Sequence, residues 1–320
     1  MPHPLSDHFD GTHFFNPEPT IRTPGKPRSG FWKMLRMRRN PAIWSKWPAA
    51  LDNKPFPPPA GETSLTWIGH STFLLRLPGL NIITDPVFSN RCSPVSFAGP
   101  KRVRKPGIAL QDLPKIDIIL LSHNHYDHMD LAALSALRKH SPAARIVTSL
   151  GNTKYLAQKG LPGAIELDWW QETTQHGAHI TATPARHFAA RSLWDRNETL
   201  WAGFFLNYKT HKIYFAGDSG YTRYFAEIHH RLGAPDLALL PIGAYEPRSV
   251  MGPVHINPAE AVQAFKDLQA TRAVGMHFGT FQLTAEAIDA PLHDLATALK
   301  TAGIPPDRFF TLETGESTAL

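Results

Sequence analysis

The sequence predicts an α/β protein of two sheets with helices outside. Three observations predict it. From Ser64 onward, short apolar runs recur between Gly, Pro, Asn and Asp, the pattern of buried strands. Each half of the chain is first strand-rich and then alternates strands with helical stretches. The His and Asp residues of most interest stand just after apolar runs, where open α/β sheets place their sites.

Residues 1–60 are rich in proline and end in PFPPPA, so they read as an extended, mostly non-helical arm. Residues 61–320 read as the folded domain. Its first part has LTWIG, STFLLRL and LNIITDP as three short strands separated by turns. IDIILLSH is an apolar strand with a polar end. DLAALSALRKH is a helix with Asp130 as N-cap. RIVTSL is a strand, and a helix follows near 152–159. In the second part, HITATPARH is a strand, and WAGFFLNYKTHKIYFAGDSG is two strands around a turn at 209–211. YTRYFAEIHHRLG is helical and LALLPIG is a strand. NPAEAVQAFKDLQA is a helix with Asn257 as N-cap, Pro258 at its first position and Glu260 three residues on. RAVGMHFGT is a strand with a polar turn, APLHDLATALKTAG is a helix closed by Gly303, and FFTLETG closes the fold. The two halves share this style without a residue-level repeat.

Composition excludes several classes. One cysteine, Cys92, rules out an intrachain disulfide framework and thiolate-rich zinc sites, and it reads as structural or incidental. No run of 18 apolar residues predicts a membrane-spanning helix, and the start MPHPLSDHFDGTHFF lacks the pattern of a secretory signal. The expected location is cytoplasmic, with peripheral membrane contact as the alternative. The net charge of +6 is local, because residues 22–46 hold eight Lys or Arg and no acid. FWKMLRMRRNPAIWSKW, at 31–47, mixes aromatics with cations. It reads as an arm packed on its own domain or a partner, or as a segment in a lipid headgroup layer. Pro41 interrupts any long amphipathic helix there. No nucleic acid is expected, since the other basic run, KRVRK at 101–105, is short and suited to anionic headgroups. An arm of this length can also wrap a neighbouring copy, so a homo-oligomer is an expected partner.

The strongest local signal is SHNHYDHMD. His123, His125, Asp127 and His128 form H-x-H-x-D-H after a buried strand. Imidazole and carboxylate are good ligands for zinc and related ions. On a loop, His123 and His125 can face one ion while Asp127 and His128 turn toward a second. The competing reading is a polar turn that Asp127 merely caps. Four residues do not complete two sites. The further candidates are His187 in TPARHF, Asp218 in FAGDSG and His277 in GMHFG, each after a strand and near a small residue. Taken alone, each is as well read as structural. Asp218 suits a bridge between ions, since one carboxylate offers two oxygens. Ser71 and Ser122 do not read as nucleophiles.

These seven positions resemble the metallo-β-lactamase superfamily in order and context. DPVFSNRCSPVSFAGPKRVR, GHSTFLL, FAGDSGY, LLPIGAYEPR, HINPAEA and MHFGTFQL resemble its N-acylphosphatidylethanolamine-hydrolysing phospholipase D branch, over about residues 38–315. The resemblance implies a four-layer αββα sandwich, with 61–320 as a metallo-β-lactamase-like hydrolase domain. It implies two divalent metal ions. Zinc suits the His and carboxylate donors, and iron or manganese suits them too. One ion is held by His123, His125 and His187, the other by Asp127, His128 and His277, with Asp218 bridging. Asp85 in ITDP matches an aspartate that steadies a ligand histidine; its other reading is a turn residue before Pro86. His255 in VHINPAE matches a histidine near the substrate; its other reading is packing against the helix at Asn257. Tyr245 and Glu246 form a wall, and Trp194 and Trp201 line a lipid channel or belong to the core. The implied activity is phosphodiester hydrolysis of phospholipase D type on N-acylphosphatidylethanolamine-like lipids, through a hydroxide shared by both ions, with Asp127, Asp218 and His255 as catalytic residues. The alternatives are a lactonase or carboxylic ester hydrolase of the same superfamily, or a non-catalytic metal-binding protein.

Overall fold

The structure, a computed structural model, describes residues 3–18, Trp44 and residues 63–320. The first half forms β1 (Ser64–Gly69), β2 (Thr72–Leu77), β3 (Leu80–Thr84), β4 (Ile118–Leu121), β5 (Arg145–Ser149) and β6 (Ile165–Leu167). The second forms β7 (Glu172–Gln175), β8 (Ala178–Thr183), β9 (Gly203–Tyr208), β10 (His211–Phe215), β11 (Leu237–Pro241), β12 (Arg272–Met276) and β13 (Phe309–Phe310), and β14 (Ser317–Ala319) ends the chain. The helices are α1 (Leu131–His140), α2 (Asn152–Gln158), α3 (Tyr224–Leu232), α4 (Arg248–Met251), α5 (Pro258–Asp267) and α6 (Ala290–Ala302).

Two seven-stranded sheets result, in the orders β14-β1-β2-β3-β4-β5-β6 and β13-β12-β11-β10-β9-β8-β7. Each joins antiparallel hairpins to parallel crossover strands: β3 pairs parallel with β4, and β10 with β11. The last strand, β14, returns to pair antiparallel with β1 of the first sheet.

Period-two burial sorts the first sheet into two faces. Trp67, Ile82 and Leu120 enter a central cluster with Phe204, Leu206 and Phe215 of the second sheet. Their sequence neighbours Ile68, Ile83 and Leu121 pack outward against Leu134 and Leu137 of α1 and Leu156 of α2. On the far side, Phe225 and Ile228 of α3 and Val262 and Phe265 of α5 cover the second sheet. The layers are therefore αββα. Among the described residues, no helix is long and apolar enough to cross a membrane.

Caps set the helix starts. Asp130 accepts from the backbone N–H of Ala132 and Ala133, and its other oxygen takes Phe88 and Ser89, so the α1 cap also ties down the loop after β3. Asn257 and Glu260 form a reciprocal capping box on α5. The pattern-based reading missed β6, β7, β14, α4 and a short 3-10 turn at Leu110–Asp112. These are short, and β7 (ETTQ) is a polar edge strand. Little apolar periodicity exists in such segments, and a paired neighbour decides them.

Of the N-terminal 60 residues, 3–18 lie against the domain. Phe9 and Phe14 join the central cluster with rings 4.5 Å apart. His8 stacks on Trp169 at 4.2 Å, and its Nε2 lies 2.7 Å from Asp168. Asn16 donates to the carbonyl of His187 (2.8 Å). The Trp44 indole donates to the carbonyl of Glu286 (2.9 Å). The rest of the basic aromatic segment, and PFPPPA, lie outside the described residues.

Burial opposes a charge on His8, but Asp168 and Asp7 outweigh it and raise its pKa above the usual 6.5. The folded form thus binds a proton more tightly than the unfolded one. The stabilisation is complete below about pH 6.5 and fades as pH rises through the elevated value. Hydrogen-exchange protection of residues 3–18, corrected for intrinsic rates, is expected to fall across that window. His8→Gln should flatten the response, and protection that rises with pH would contradict this anchor.

Candidate metal centre

Asp85 organises the loop that follows β4. It is buried at the end of β3, where Oδ1 accepts the Ser122 N–H (2.7 Å) and Oδ2 accepts the Ser122 hydroxyl (2.6 Å). Oδ2 also takes Nδ1 of His128 (2.6 Å). This turns Nε2 of His128 inward. Because the Ser122 hydroxyl donates to Asp85, its oxygen is left to accept Nδ1–H of His123 (2.9 Å), so Nε2 of His123 carries a lone pair. His187 follows β8 and donates Nδ1–H to the Val254 carbonyl (2.9 Å), which leaves its Nε2 as a lone pair.

These orientations bring three imidazoles together. Nδ1 of His125 lies 2.8 Å from Nε2 of His123 and 3.2 Å from Nε2 of His187. Burial holds all three below the usual histidine range, His125 at about 3 and His187 at about 4, with neighbouring imidazoles adding to the effect at His123 and His125. A single Nδ1–H on His125 can satisfy the lone pair of His123 or that of His187 but not both, whereas a shared cation would accept a lone pair from all three.

The second group gathers around two carboxylates. Oδ2 of Asp127 is 3.4 Å from Nε2 of His277 and 3.6 Å from Nε2 of His128. Oδ2 of Asp218 is 3.0 Å from Nε2 of His277, 3.1 Å from that of His128 and 3.8 Å from that of His187. Asp218 therefore touches both groups. Gly217 allows this: its φ is 59°, and a Cβ there would stand 2.8 Å from the Ser122 Cβ. Gly243, beyond β11, does the same for His277, whose carbonyl would lie 2.1 Å from an added Cβ.

Burial works against charge throughout this group. Even so, His128 holds both carboxylates well below their usual range. In return, Asp218 and its neighbours raise His128, and raise His277 to about 9. Nε2 of His128 and of His277 and Oδ1 of Asp218 are buried without a hydrogen-bonded partner. Orphaned donor atoms, facing lone pairs and excess carboxylate charge all fit a pair of divalent cations, and these residues could hold them.

All seven candidate ligands thus come together, and His255 joins them. It is buried, its Nε2 is 3.9 Å from Asp218 and its ring is 5.0 Å from that of His187. Two further residues escaped the sequence reading. His70, in GHSTF, reaches Asp127 with Nε2 at 3.1 Å; the signal was a His after a strand, in a motif read only for its serine. Arg191 clamps the loop from outside, donating to the carbonyls of Asn124 (2.6 Å) and Met129 (2.8 Å) beneath the Tyr126 ring, 4.0 Å away. An exposed-looking Arg in RSLWDRN carries no such signal.

Several other residues are also placed. Trp201 is core: it is 1% exposed and its indole donates to the Ala185 carbonyl, whereas Trp194 is 86% exposed and lines no enclosed channel. Tyr245 gives its hydroxyl to Asp294 of α6 (2.6 Å). KRVRK is not a free basic patch. Arg102 is buried and donates to the carbonyls of Val87 and Ser89, and Arg104 pairs with Glu313 at 3.2 Å. Cys92 is buried with Val87 and Phe281.

The family described as Beta-lactamase superfamily domain matches residues 80–278. The chain belongs to the beta-lactamase superfamily. Among its relatives in that superfamily is N-acyl-phosphatidylethanolamine-hydrolyzing phospholipase D 1 of Caenorhabditis elegans, 38% identical over 78% of this chain and 74% of that protein. Another is the mitochondrial N-acyl-phosphatidylethanolamine-hydrolyzing phospholipase D of Saccharomyces cerevisiae, 38% identical over 79% of this chain but only 55% of that one. Among solved structures, Igni18, a metallo hydrolase of Ignicoccus hospitalis, superposes with TM-score 0.60 at 25% identity, over 81% of this chain and 98% of that one. A further relative, 30% identical over 68% of this chain and 84% of that one, is a UPF0173 metal-dependent hydrolase of Koribacter versatilis, and the His/Asp clusters of this chain are able to bind metal.

Proposed function

We propose that this chain is a dinuclear-metal hydrolase that cleaves phosphodiesters in the phospholipase D manner, with N-acylphosphatidylethanolamine-like lipids as substrates. The observation that carries the reading is the position of Asp218, with one oxygen within 3.0–3.8 Å of His277, His128 and His187. His123, His125 and His187 form one donor set, Asp127, His128 and His277 the other, and Asp218 serves both. Zinc suits these donors, as do iron and manganese. The names of the worm and yeast relatives support the lipid.

A bound pair of such ions supplies Lewis acidity toward a phosphoryl oxygen and a low pKa for water. Asp218 and Asp127 present carboxylate oxygens that can take the proton lost by the attacking water. That water oxygen bonds to phosphorus, the bond from phosphorus to the leaving alcohol oxygen breaks, and the alcohol leaves with a proton. His255, beside Asp218 and without a partner on Nδ1, is placed to hold the phosphoryl group or return that proton. Asp85 acts through Ser122 and His128, keeping both oriented.

Lipid access has a local basis. Leu193 and Trp194 (90% and 86% exposed) tip the loop that Arg191 anchors to Tyr126, and Phe97 (81%) tips the loop that holds Cys92. Apolar tips beside an exposed cation such as Arg196 suit an anionic lipid surface.

A substrate panel tests the proposal. Purified protein with its metal content measured is expected to release phosphatidic acid and N-acylethanolamine from N-acylphosphatidylethanolamine in mixed micelles. Turnover of lactones or carboxylic esters in preference to any phosphodiester would overturn the substrate class and leave a hydrolase.

A further inference from the structure

We infer that His70 is a fourth protein donor at the Asp127–His128–His277 position, making the two ion positions unequal. The inference rests on the metal-pair reading above. One donor atom each from His70, Asp127, His128 and His277 lies within 4.8 Å of the others; on the facing side the corresponding group is His123, His125 and His187, and His187 also groups with Asp218 and His255.

The placement of His70 is not that of a packing residue. Its ring is 1% exposed and 4.1 Å from the His277 ring, with Nε2 directed at Asp127. Nδ1 is buried without a partner. A side chain there for packing alone, next to Phe281, carries less cost as a hydrocarbon, because a buried polar atom left unpaired costs roughly 1–3 kcal/mol. The backbone is also held in an uncommon state. His70 has φ 55° in the left-handed region, where a non-glycine residue needs a reason. Its N–H donates to Oγ1 of Thr280 (2.9 Å), and its carbonyl accepts from the N–H of His277 (3.1 Å) and the Trp67 indole (2.9 Å). His277 has φ 63° itself. The turn between β1 and β2 is thus laced to the end of β12, and His70 and His277 are positioned as one unit across the two sheets.

The consequence is a division of labour. The His70 position is the more enclosed by protein donors. The His123 position keeps more room for water and substrate, and should release its ion first to a chelator.

The test compares wild-type, His70→Asn, His70→Gly and His187→Asn chains. Asn and Gly both accept φ near 55°. Metal per chain is measured by mass spectrometry after dialysis, with thermal midpoints of the metal-stripped proteins. Wild type is expected to hold two ions and His187→Asn one, while His70→Asn should lose its second ion to a chelator at least about tenfold faster than wild type. The stripped midpoint of His70→Asn should match that of stripped wild type. Free imidazole should slow the loss from His70→Gly. A His70→Asn chain that keeps both ions at wild-type release rates overturns the inference, since an amide can still hydrogen-bond Asp127 but is a poor substitute donor. A stripped midpoint that falls without loss of metal likewise makes His70 a packing residue. A wild-type chain that binds one ion sinks the pair; His70 then stands if His70→Asn weakens that ion and falls if it does not.

Discussion

Asp218→Asn is expected to lower kcat/KM by about a thousandfold and to reduce bound metal. The substitution keeps size and shape but removes one anionic oxygen and the charge between the two donor sets. Metal-assisted stabilisation of a phosphoryl transition state amounts to several kcal/mol, and each 1.36 kcal/mol is a factor of ten, so loss of about 4 kcal/mol gives this scale. The amide also turns a nitrogen with bound hydrogens toward the imidazoles of His128 and His277, which lie 3.1 Å and 3.0 Å from Oδ2 in the native chain. Steady-state kinetics with metal analysis on the same sample checks it. Activity within tenfold of wild type would remove Asp218 from the centre of the mechanism.

Trp201→Ala is expected to cost about 3–5 kcal/mol of folding stability, the range for deleting a large aromatic from a core. Trp201 is among the largest fully buried side chains and lies in the central cluster between the sheets. Its indole satisfies the Ala185 carbonyl at 2.8 Å, and its own carbonyl accepts the Trp169 indole at 2.8 Å. Ala185 is two residues before His187, so the cavity opens beneath the segment that carries a candidate ligand. Trp201→Phe should recover most of the loss but leave the Ala185 carbonyl unpaired, at roughly 1–3 kcal/mol. Denaturant unfolding of the metal-stripped protein measures both. A loss below about 1 kcal/mol for the alanine variant would show that the site collapses around the gap.

Much of the centre was legible because its densest part is local. His123, His125, Asp127 and His128 lie within six residues after an apolar strand, and no long-range information is needed to see an ion site there. His187, Asp218 and His277 were legible as strand-end residues, but their meeting was an expectation from resemblance rather than from spacing. His70 was not legible, because one histidine in a turn has no distinguishing pattern until the turn is packed against His277. Arg102 and Arg104 misled for a related reason. A basic run reads as solvated, yet here the alternate residues of KRVRK turn inward and find carbonyls and Glu313.

By itself the amino-acid order determined most of the strands and helices, the helix caps at Asp130 and Asn257, and the composition of the His/Asp loop after β4. These are set within a few residues by hydrophobic period and by side chains that bond their own backbone. Only the tertiary structure decided which edge strands exist, that Trp201 is interior while Trp194 is exposed, and that Asp218 stands between two sets of imidazoles. The reason is that those outcomes depend on how two sheets stack. That stacking brings residues as far apart as His70 and His277 into contact through packing that no local window contains.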